Sequence, residues 1–584
     1  MKNKVNLKKV SDVVAEVLIE EKVSHVFAIS GGASLHLIHS LADNENIQYV
    51  CNHNEQAAAM AADGYSRVSG NIGVALTTSG PGATNLITGI CCSYYDSVPS
   101  LFITGQVSTF RMKGDTGVRQ IGFQETPIVD VVKSITKYAY TINHPSEIKY
   151  QIQKALHIAR SGRPGPVLID IPDDLQRVNI ESSLLKNFQP DIEQEKGNLT
   201  DTILSIMSMI KKSKRPVIIA GWGIHLSKTQ SDFIKFAEDL NLPIALTWGA
   251  ADLISFDHEL YIGTFGTHGN RHANFAVQNA DLIISLGSRL DTKSTGSPVN
   301  TFARKAKRIM VEIDINELNK FKKFDLKFDK LIHCDLKDFF DEVQKINIQK
   351  FFNKHDDWVN QINQWQEAFN AFDDRKNLST TQVNPYNFVD RISDNLKENS
   401  KVFIDTGCSI AWFMQSIRTP KTVRVFHDFN NTAMGWALPA SIGGYYADLG
   451  KSPIITIVGD GGFMMTSYEL ATAMHNNIPL KIFIMNNQGY SMIQQTQDQW
   501  LDSNYYASSK QGGISFPDFQ KLSKAYNFKY FELKDDSDLH LVEEIFAYPK
   551  ALICNVFIDN DFRVTPQVKL GRPNEDMGPL LPRE

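Results

Sequence analysis

Short apolar runs that stop at Gly, Pro, Asn or Asp, each followed by a stretch of helical character, recur along this chain in three blocks. Such a run, with no polar alternation, has no face to offer to water and must be covered on both sides. That is the pattern of a parallel strand joined to the next by a crossover helix. The first block places strands at 25–30, 73–78, 100–105 and 166–171; the second at 216–221, 243–247, 281–287 and 308–315; the third at 401–405, 453–458, 480–485 and 551–558. Each block predicts its own sheet, so the expected fold class is α/β with three doubly wound parallel-sheet domains. The 584 residues suit three or four units at roughly 150 residues per domain.

Composition places the breaks. The polar stretch 185–198, "LLKNFQPDIEQEKG", reads as a first linker. From 345 to 385, Trp358, Trp365, Phe369 and Phe372 stand among polar residues ahead of "NLSTTQVNP", which predicts a helical linker and then a turn. The expected division is therefore 1–185, 199–345, a linker 346–384, 385–562 and a tail 563–584 without clear periodicity. Lys plus Arg (60) nearly balances Asp plus Glu (65), so bulk charge points to small molecules or other subunits as partners, not to nucleic acid or a membrane surface. Six scattered cysteines without a CxxC pair argue for a reducing compartment. Asp12, Glu16, Glu20 and Glu21 interrupt the N-terminal region, where Val10, Val13, Val14, Val17 and Leu18 form one face of an amphipathic helix. With no run of 18 apolar residues, a soluble, cytoplasmic protein is expected.

The chemistry is concentrated in the first and third blocks. "PIITIVGDGGF" sets Gly459-Asp460-Gly461-Gly462 directly after an apolar strand, where backbone amides and a carboxylate can face a phosphate and its divalent cation, although a tight turn would read the same way. A second strand, "LKIFIMNNQGY", ends at Asn487, 27 positions on (487 − 460), about the length of a strand–helix–strand crossover. Asp460 and Asn487 would then leave adjacent strands. A carboxylate, an amide oxygen and a backbone carbonyl suit magnesium, a hard cation that completes its shell with phosphate and water. In the first block "YVCNHNEQAAAMAADGYSRVSG" predicts a tightly packed helix starting near Glu55, which taken alone could be an exposed helix-start glutamate.

The spacing in the third block resembles the cofactor motif of thiamine diphosphate (ThDP) enzymes. The strings "ISGGASLHLI", "NEQAAAMAADGYSRVSG", "ALTTSGPGATNLITGI", "GFQETPIV", "GRPGPVLIDIPDD", "GTFGTHGNRHANFAVQNADLIISLGSRLD" and "TAMGWALPASIG", in this order, resemble acetolactate synthase, also called acetohydroxyacid synthase. The resemblance spans residues about 10–560 and is far more specific than one Gly-rich motif. It implies pyrimidine-binding, central and diphosphate-binding domains. It makes Asp460, Asn487 and the carbonyl of Gly489 the Mg²⁺ ligands and Glu55 the activator of the aminopyrimidine N1′. Pro81 and Asn85 fall near the pyrimidine, Phe123 and Gln124 on the acceptor side. Met434, beside Gly435, holds the bent cofactor, and Gly461, Gly462, Gly407, Cys408 and Ser409 meet the diphosphate. FAD is expected in the central domain on Gly221, Gly223, Gly266, His268, Gly287 and Arg289.

Several positions depart from the family pattern. "TGCSIAW" replaces a glycine-glutamine-histidine string; Cys408 as a nucleophile has no sequence-adjacent base to support it. Asn54 stands where the family has histidine before the glutamate, leaving His53 as a structural residue. Lys293 replaces an arginine, keeping the charge without the planar fork. Thr496 occupies the register of a tryptophan that helps select the acceptor, which leaves room for a bulkier one. The tail "GRPNEDMGPLLPRE" and "RMKGDTGVRQIGFQET" resemble members found in bacterial surface-polysaccharide pathways, some of which join a two-carbon unit to a keto-sugar nucleotide. The expected function is a Mg²⁺-dependent carboligase that decarboxylates a 2-oxo acid, with pyruvate as the expected donor, and transfers the acyl-anion unit to a second carbonyl. Simple decarboxylation or oxidation of the 2-oxo acid, and remotely a non-catalytic nucleotide-binding regulatory subunit, are the alternatives. A homodimer or homotetramer is implied, with each site between the first domain of one chain and the third of another.

Overall fold

The computed structural model describes residues 7–190, 199–369, 375, 378 and 380–581. Residues 191–198 of the expected first linker, and Phe372 of the second, lie outside the described residues. Three six-stranded sheets, parallel throughout, follow one another along the chain. In spatial order the first is Gln48–Cys51, His25–Ala28, Gly73–Thr77, Ser100–Gln106, Val167–Pro172 and Tyr138–Thr141. The second is Tyr261–Thr264, Ile244–Leu246, Pro216–Ala220, Leu282–Leu286, Lys307–Glu312 and Lys330–His333. The third is Arg424–Phe426, Lys401–Ile404, Ile454–Gly459, Lys481–Asn486, Leu552–Phe557 and Lys529–Leu533.

Every strand expected from the sequence lies in the interior of a sheet. Within these three sheets, the six strands not marked by an apolar run are the six edge strands. Edges such as Gln48–Cys51 and Lys330–His333 are covered on one face only and bury a single residue each, so their sequences carry no continuous apolar run.

The alanine run behaves as expected. Helix Glu55–Ser69 is capped by Asn54, whose side chain accepts from the Gln56 amide, and buries Ala57 through Ala62. It lies against helix Ala437–Asp448 of the third block, so closely that a Cβ on Gly64 would come within 2.6 Å of the Ala440 Cα. Small residues thus let two helices, nearly 400 positions apart in sequence, seal the first domain to the third.

The helical linker is Asp356–Ala368, docked on the central sheet through buried Trp358, whose indole N–H donates to the Pro216 carbonyl at 3.1 Å. The tail is ordered by tertiary contact: Gln567–Val568 pairs with Met577–Gly578, and Arg271 and Asn274 of the central domain hold Met577. Among the described residues no helix is long and apolar enough to cross a membrane.

Candidate active site

Asp460 is the first residue after strand Ile454–Gly459, and that strand runs in register with Lys481–Asn486, Gly459 beside Met485. Asp460 and Asn487 therefore leave the sheet side by side. Asp460 is buried; its carboxylate accepts from the amides of Gly461 at 2.7 Å and Gly489 at 3.3 Å. Burial pushes its pKa up to about 7 against these amides, and among the described residues no lysine or arginine forms an ion pair with it. Asn487 Nδ2 donates to Ser491 Oγ at 2.6 Å and Oδ1 accepts from Gly489 N at 3.2 Å, which turns the amide oxygen toward Asp460. A Cβ on Gly489 would fall 2.8 Å from both Asn560 and Gln494 amide nitrogens and 3.0 Å from the Ser508 carbonyl, so glycine lets this turn pack closely. Oxygen donors around a buried carboxylate lacking a counter-charge fit Mg²⁺.

Glu55 opens its helix, and Asn85 Nδ2 donates to Glu55 Oε2 at 2.9 Å. The Pro81 turn closes on the same carboxylate: a Cβ on Gly82 would lie 3.5 Å from Glu55 Oε1. Gly80, at φ +61, brings this turn against Gln124, which itself holds φ +64, with 3.0 Å between a Gly80 Cβ and the Gln124 carbonyl. Glu55, Pro81, Asn85 and Gln124 are thus brought together, while Phe123 stands 86% exposed beside them. The His53 amide, not its ring, is engaged: it donates to Glu469 of the third domain at 2.8 Å. Glu469, fully buried and also accepting from Asn52 and Thr472, had no signal in the sequence because its partners in the first domain, Asn52 and His53, are some 400 residues away.

Met434 lies on the segment 427–437, which buried carboxylates hold by its backbone. Asp405 accepts from Gly435 N and Ala437 N, Asp428 from Ala433 N, and Asp96 from Phe429 N and Asn430 N, all at 2.8–3.1 Å. A Cβ on Gly461 would reach the Met434 methyl at 3.0 Å, so Met434, Gly435, Gly461 and Gly462 form one surface. Arg67, buried between Asp63 and Asp96, also donates to the His427 carbonyl at 2.9 Å. Gly407, at φ +93, precedes helix Cys408–Ser416, with Ser409 Oγ 3.9 Å from a Cβ on Gly459. Burial pushes the Cys408 thiol up to about 12, which keeps it neutral and unsuited to attack.

The central domain borders a cleft of about 1260 Å³, counting its open mouth, lined by Gly223, His268, Gly287, Arg289 and Lys293. The first domain adds Asp96 to its wall and the third adds Phe429 and Asn430. Gly221 and Gly266 lie behind the lining, where their missing side chains allow backbone to pack on backbone at Gly287 and Lys293. Both ring nitrogens of His268 are shielded from water without a hydrogen-bond partner, and burial lowers its pKa to about 4. A neutral imidazole left unpaired fits a ligand with a polar edge, as a bound FAD would offer. Arg289 is ion-paired to Glu317 at 3.0 Å.

Comparison with known proteins agrees with this layout. Residues 8–131 match the thiamine pyrophosphate enzyme N-terminal TPP binding domain, 203–342 the central domain, and 405–556 the C-terminal TPP binding domain. The acetolactate synthase large subunit of Lactococcus lactis subsp. lactis (strain IL1403) is 32% identical over 570 residues, covering 97% of this chain and 95% of that protein. The probable acetolactate synthase large subunit of Methanococcus aeolicus is 32% identical over 579 residues (96% and 92%), and chloroplastic acetolactate synthase 1 of Zea mays 30% over 578 (98% and 88%). The three domain matches, in this order and on three parallel sheets, make this a ThDP-dependent enzyme. The chain belongs to the acetolactate synthase large-subunit family and is an acetolactate synthase-like carboligase.

Proposed function

We propose that this enzyme takes pyruvate as donor, with Mg²⁺ on Asp460, Asn487 and the Gly489 carbonyl, and joins the two-carbon unit left after CO2 loss to a second carbonyl. ThDP, when bound, supplies the acyl-anion equivalent. Glu55, oriented by Asn85, would hold a proton at the aminopyrimidine N1′ of bound ThDP, and Met434 would pack against the cofactor. Gln124 donates a hydrogen bond to the acceptor carbonyl oxygen as charge builds there. The observation that carries this reading is the convergence of Glu55, Asn85, the Pro81 turn and Gln124.

The cleft supports FAD as a resident group, held at Gly223, Gly287 and Arg289 with His268 on its polar edge. Exposed Phe123 (86%), Tyr506 (72%) and Phe110 (71%) support a site completed by a second copy of the chain, in a homodimer or homotetramer. A bulkier acceptor, such as a keto-sugar nucleotide, is the second reading. It is favoured by Thr496, a half-buried side chain far smaller than the tryptophan of the family pattern, whose hydroxyl donates to the Met492 carbonyl at 3.1 Å. The test is purified protein with ThDP and Mg²⁺, given pyruvate alone and then with candidate acceptors, with CO2 and products followed by mass spectrometry. Acetolactate from pyruvate alone supports pyruvate as acceptor; adducts only with a keto sugar support the second reading; no CO2 refutes both.

A further inference from the structure

Between strand Ser100–Gln106 and helix Ile128–Val132 the chain makes a long excursion that carries Phe123 and Gln124. Residues 114–121 of it are all exposed, yet Glu125 is only 7% exposed. No lysine or arginine forms an ion pair with this carboxylate among the described residues. It is satisfied by the loop's own backbone: Oε1 accepts from Lys113 N at 2.6 Å, and Oε2 from Ile121 N at 2.9 Å and Gly122 N at 3.3 Å. The Glu125 carbonyl in turn accepts from Gln120 Nε2 at 2.9 Å. Next to it, Gln106 ties the Thr126 carbonyl at 2.8 Å to buried Asp170 at 3.0 Å, which anchors the far end of the loop to the sheet. One side chain thus gathers amides from positions 113, 121 and 122, the two ends of a loop with no secondary structure of its own.

What this gathering fixes is the residue just before it. Gln124 is held left-handed at φ +64, a conformation that is unfavourable for a side-chain-bearing residue and that neighbouring structure must impose. Glu125 is covalently next to it on one side, and the Gly80 turn, which reaches the Glu55 carboxylate, meets it on the other. Amide donors hold the Glu125 carboxyl below the usual carboxylate range, although burial alone would raise it.

We infer that Glu125 is a positioning residue that holds Gln124 toward the Glu55 side of the site and so decides how often the two-carbon unit is captured by the acceptor instead of by a proton. The inference rests on the carboligase reading above, with Gln124 on the acceptor side. After CO2 leaves, the electron pair it leaves behind either bonds to the acceptor carbonyl carbon, whose oxygen takes a proton, or takes a proton from water so that an aldehyde departs. Only the first route needs Gln124 in place. The CO2-releasing step requires Glu55 and the cofactor, whereas the Glu125 carboxylate is taken up by the amides of Lys113, Ile121 and Gly122.

The test compares the ThDP- and Mg²⁺-loaded enzyme with its Glu125→Gln and Glu125→Asp variants, using pyruvate and the acceptor that the wild-type enzyme uses. Three quantities are read: CO2 release, the ratio of carbon–carbon-bonded product to aldehyde, and hydrogen exchange of the amides of 113, 121 and 122. For Glu125→Gln, whose amide nitrogen would face backbone donors, CO2 release should stay within about twofold, the ratio should fall about tenfold, and the three amides should exchange about tenfold faster. Glu125→Asp, which keeps the charge, should restore part of the ratio. An unchanged ratio, or a parallel fall of CO2 release and product together with a lower Tm, overturns the positioning role. Wild-type enzyme that releases no CO2 from pyruvate refutes the donor reading on which the inference stands, a result that cannot be confused with failure of Glu125 alone.

Discussion

The first and third sheets share one winding, in which strands numbered within each block run 2-1-3-4-6-5 across the sheet, whereas the central sheet runs 3-2-1-4-5-6. In an open parallel sheet a ligand crevice forms beyond the strand carboxyl ends where the order reverses. The outer sheets reverse between strands 1 and 3. In the first sheet this lies at the ends of His25–Ala28 and Gly73–Thr77, where a Cβ on Gly31 would come 2.5 Å from Thr78. In the third it lies at Asp405 and Gly459-Asp460, where a Cβ on Gly462 would meet the Asp405 carboxylate at 2.7 Å. The central sheet reverses between Pro216–Ala220 and Leu282–Leu286, where Gly221 and Gly223 meet Gly287. Its winding is that of dinucleotide-binding folds, and the cleft with unpaired His268 opens there. One repeated strand–helix unit thus yields two kinds of crevice, and segment 427–437 touches both, since Phe429 and Asn430 line the cleft while Met434 faces Gly461.

The comparison makes the two kinds of site separable by mutation. The largest expected effect is Glu55→Gln, which removes the ionisable group at the first switch point. CO2 release from pyruvate should drop about 10²–10⁴-fold, while flavin absorbance of the purified protein stays unchanged; unchanged turnover would break the assignment of the outer sheets to catalysis. Asp460→Asn should weaken activation by Mg²⁺ about 10–100-fold, read as the metal concentration giving half-maximal activity.

The same carboxyl sharpens the comparison through pH. With its pKa near 7 in the metal-free protein, Asp460 holds a proton below that pH and must release it to bind a cation. The dissociation constant for Mg²⁺, measured by calorimetry, should therefore rise as pH falls from 8 to 6, and Asp460→Asn should flatten that slope.

At the central switch point the effect is smaller and of another kind. Gly287, at φ +58, has the Gly223 Cα and Leu336 Cδ1 each 2.9 Å from where a Cβ would stand, so Gly287→Ala should cost about 1–3 kcal/mol of stability. The FAD proposed for this cleft should be lost on dialysis while ThDP-induced thermal stabilisation is retained; loss of both would show that the crevices are not independent. The smallest effect expected is from Thr496→Trp, which should leave CO2 release within about twofold and reduce use of a bulky acceptor about tenfold in competition assays.

Much of this layout is legible along the chain because burial on both faces writes itself locally. Interior strands such as Ile454–Gly459 and Lys481–Asn486 are buried along nearly their whole length and so stand out as apolar runs. The 27-residue separation of Asp460 and Asn487 then suffices to place both at neighbouring strand ends. The alanine run after Glu55 announces close helix packing, although not its partner. Edge strands escape notice, since Lys330–His333 buries one residue in four.

The sequence by itself determined three α/β units, their interior strands and the residue types at the strand ends, for these follow from local burial and crossover length. Only the tertiary structure decided the winding of each sheet, because which face a crossover helix covers depends on contacts far along the chain. It also decided the pairing of Arg67 with Asp96, the Glu469 tie to Asn52 and His53, and the gathering of loop amides by Glu125. A buried charge or carboxylate is tolerated only where partners converge on it, and that convergence does not exist until the chain has folded.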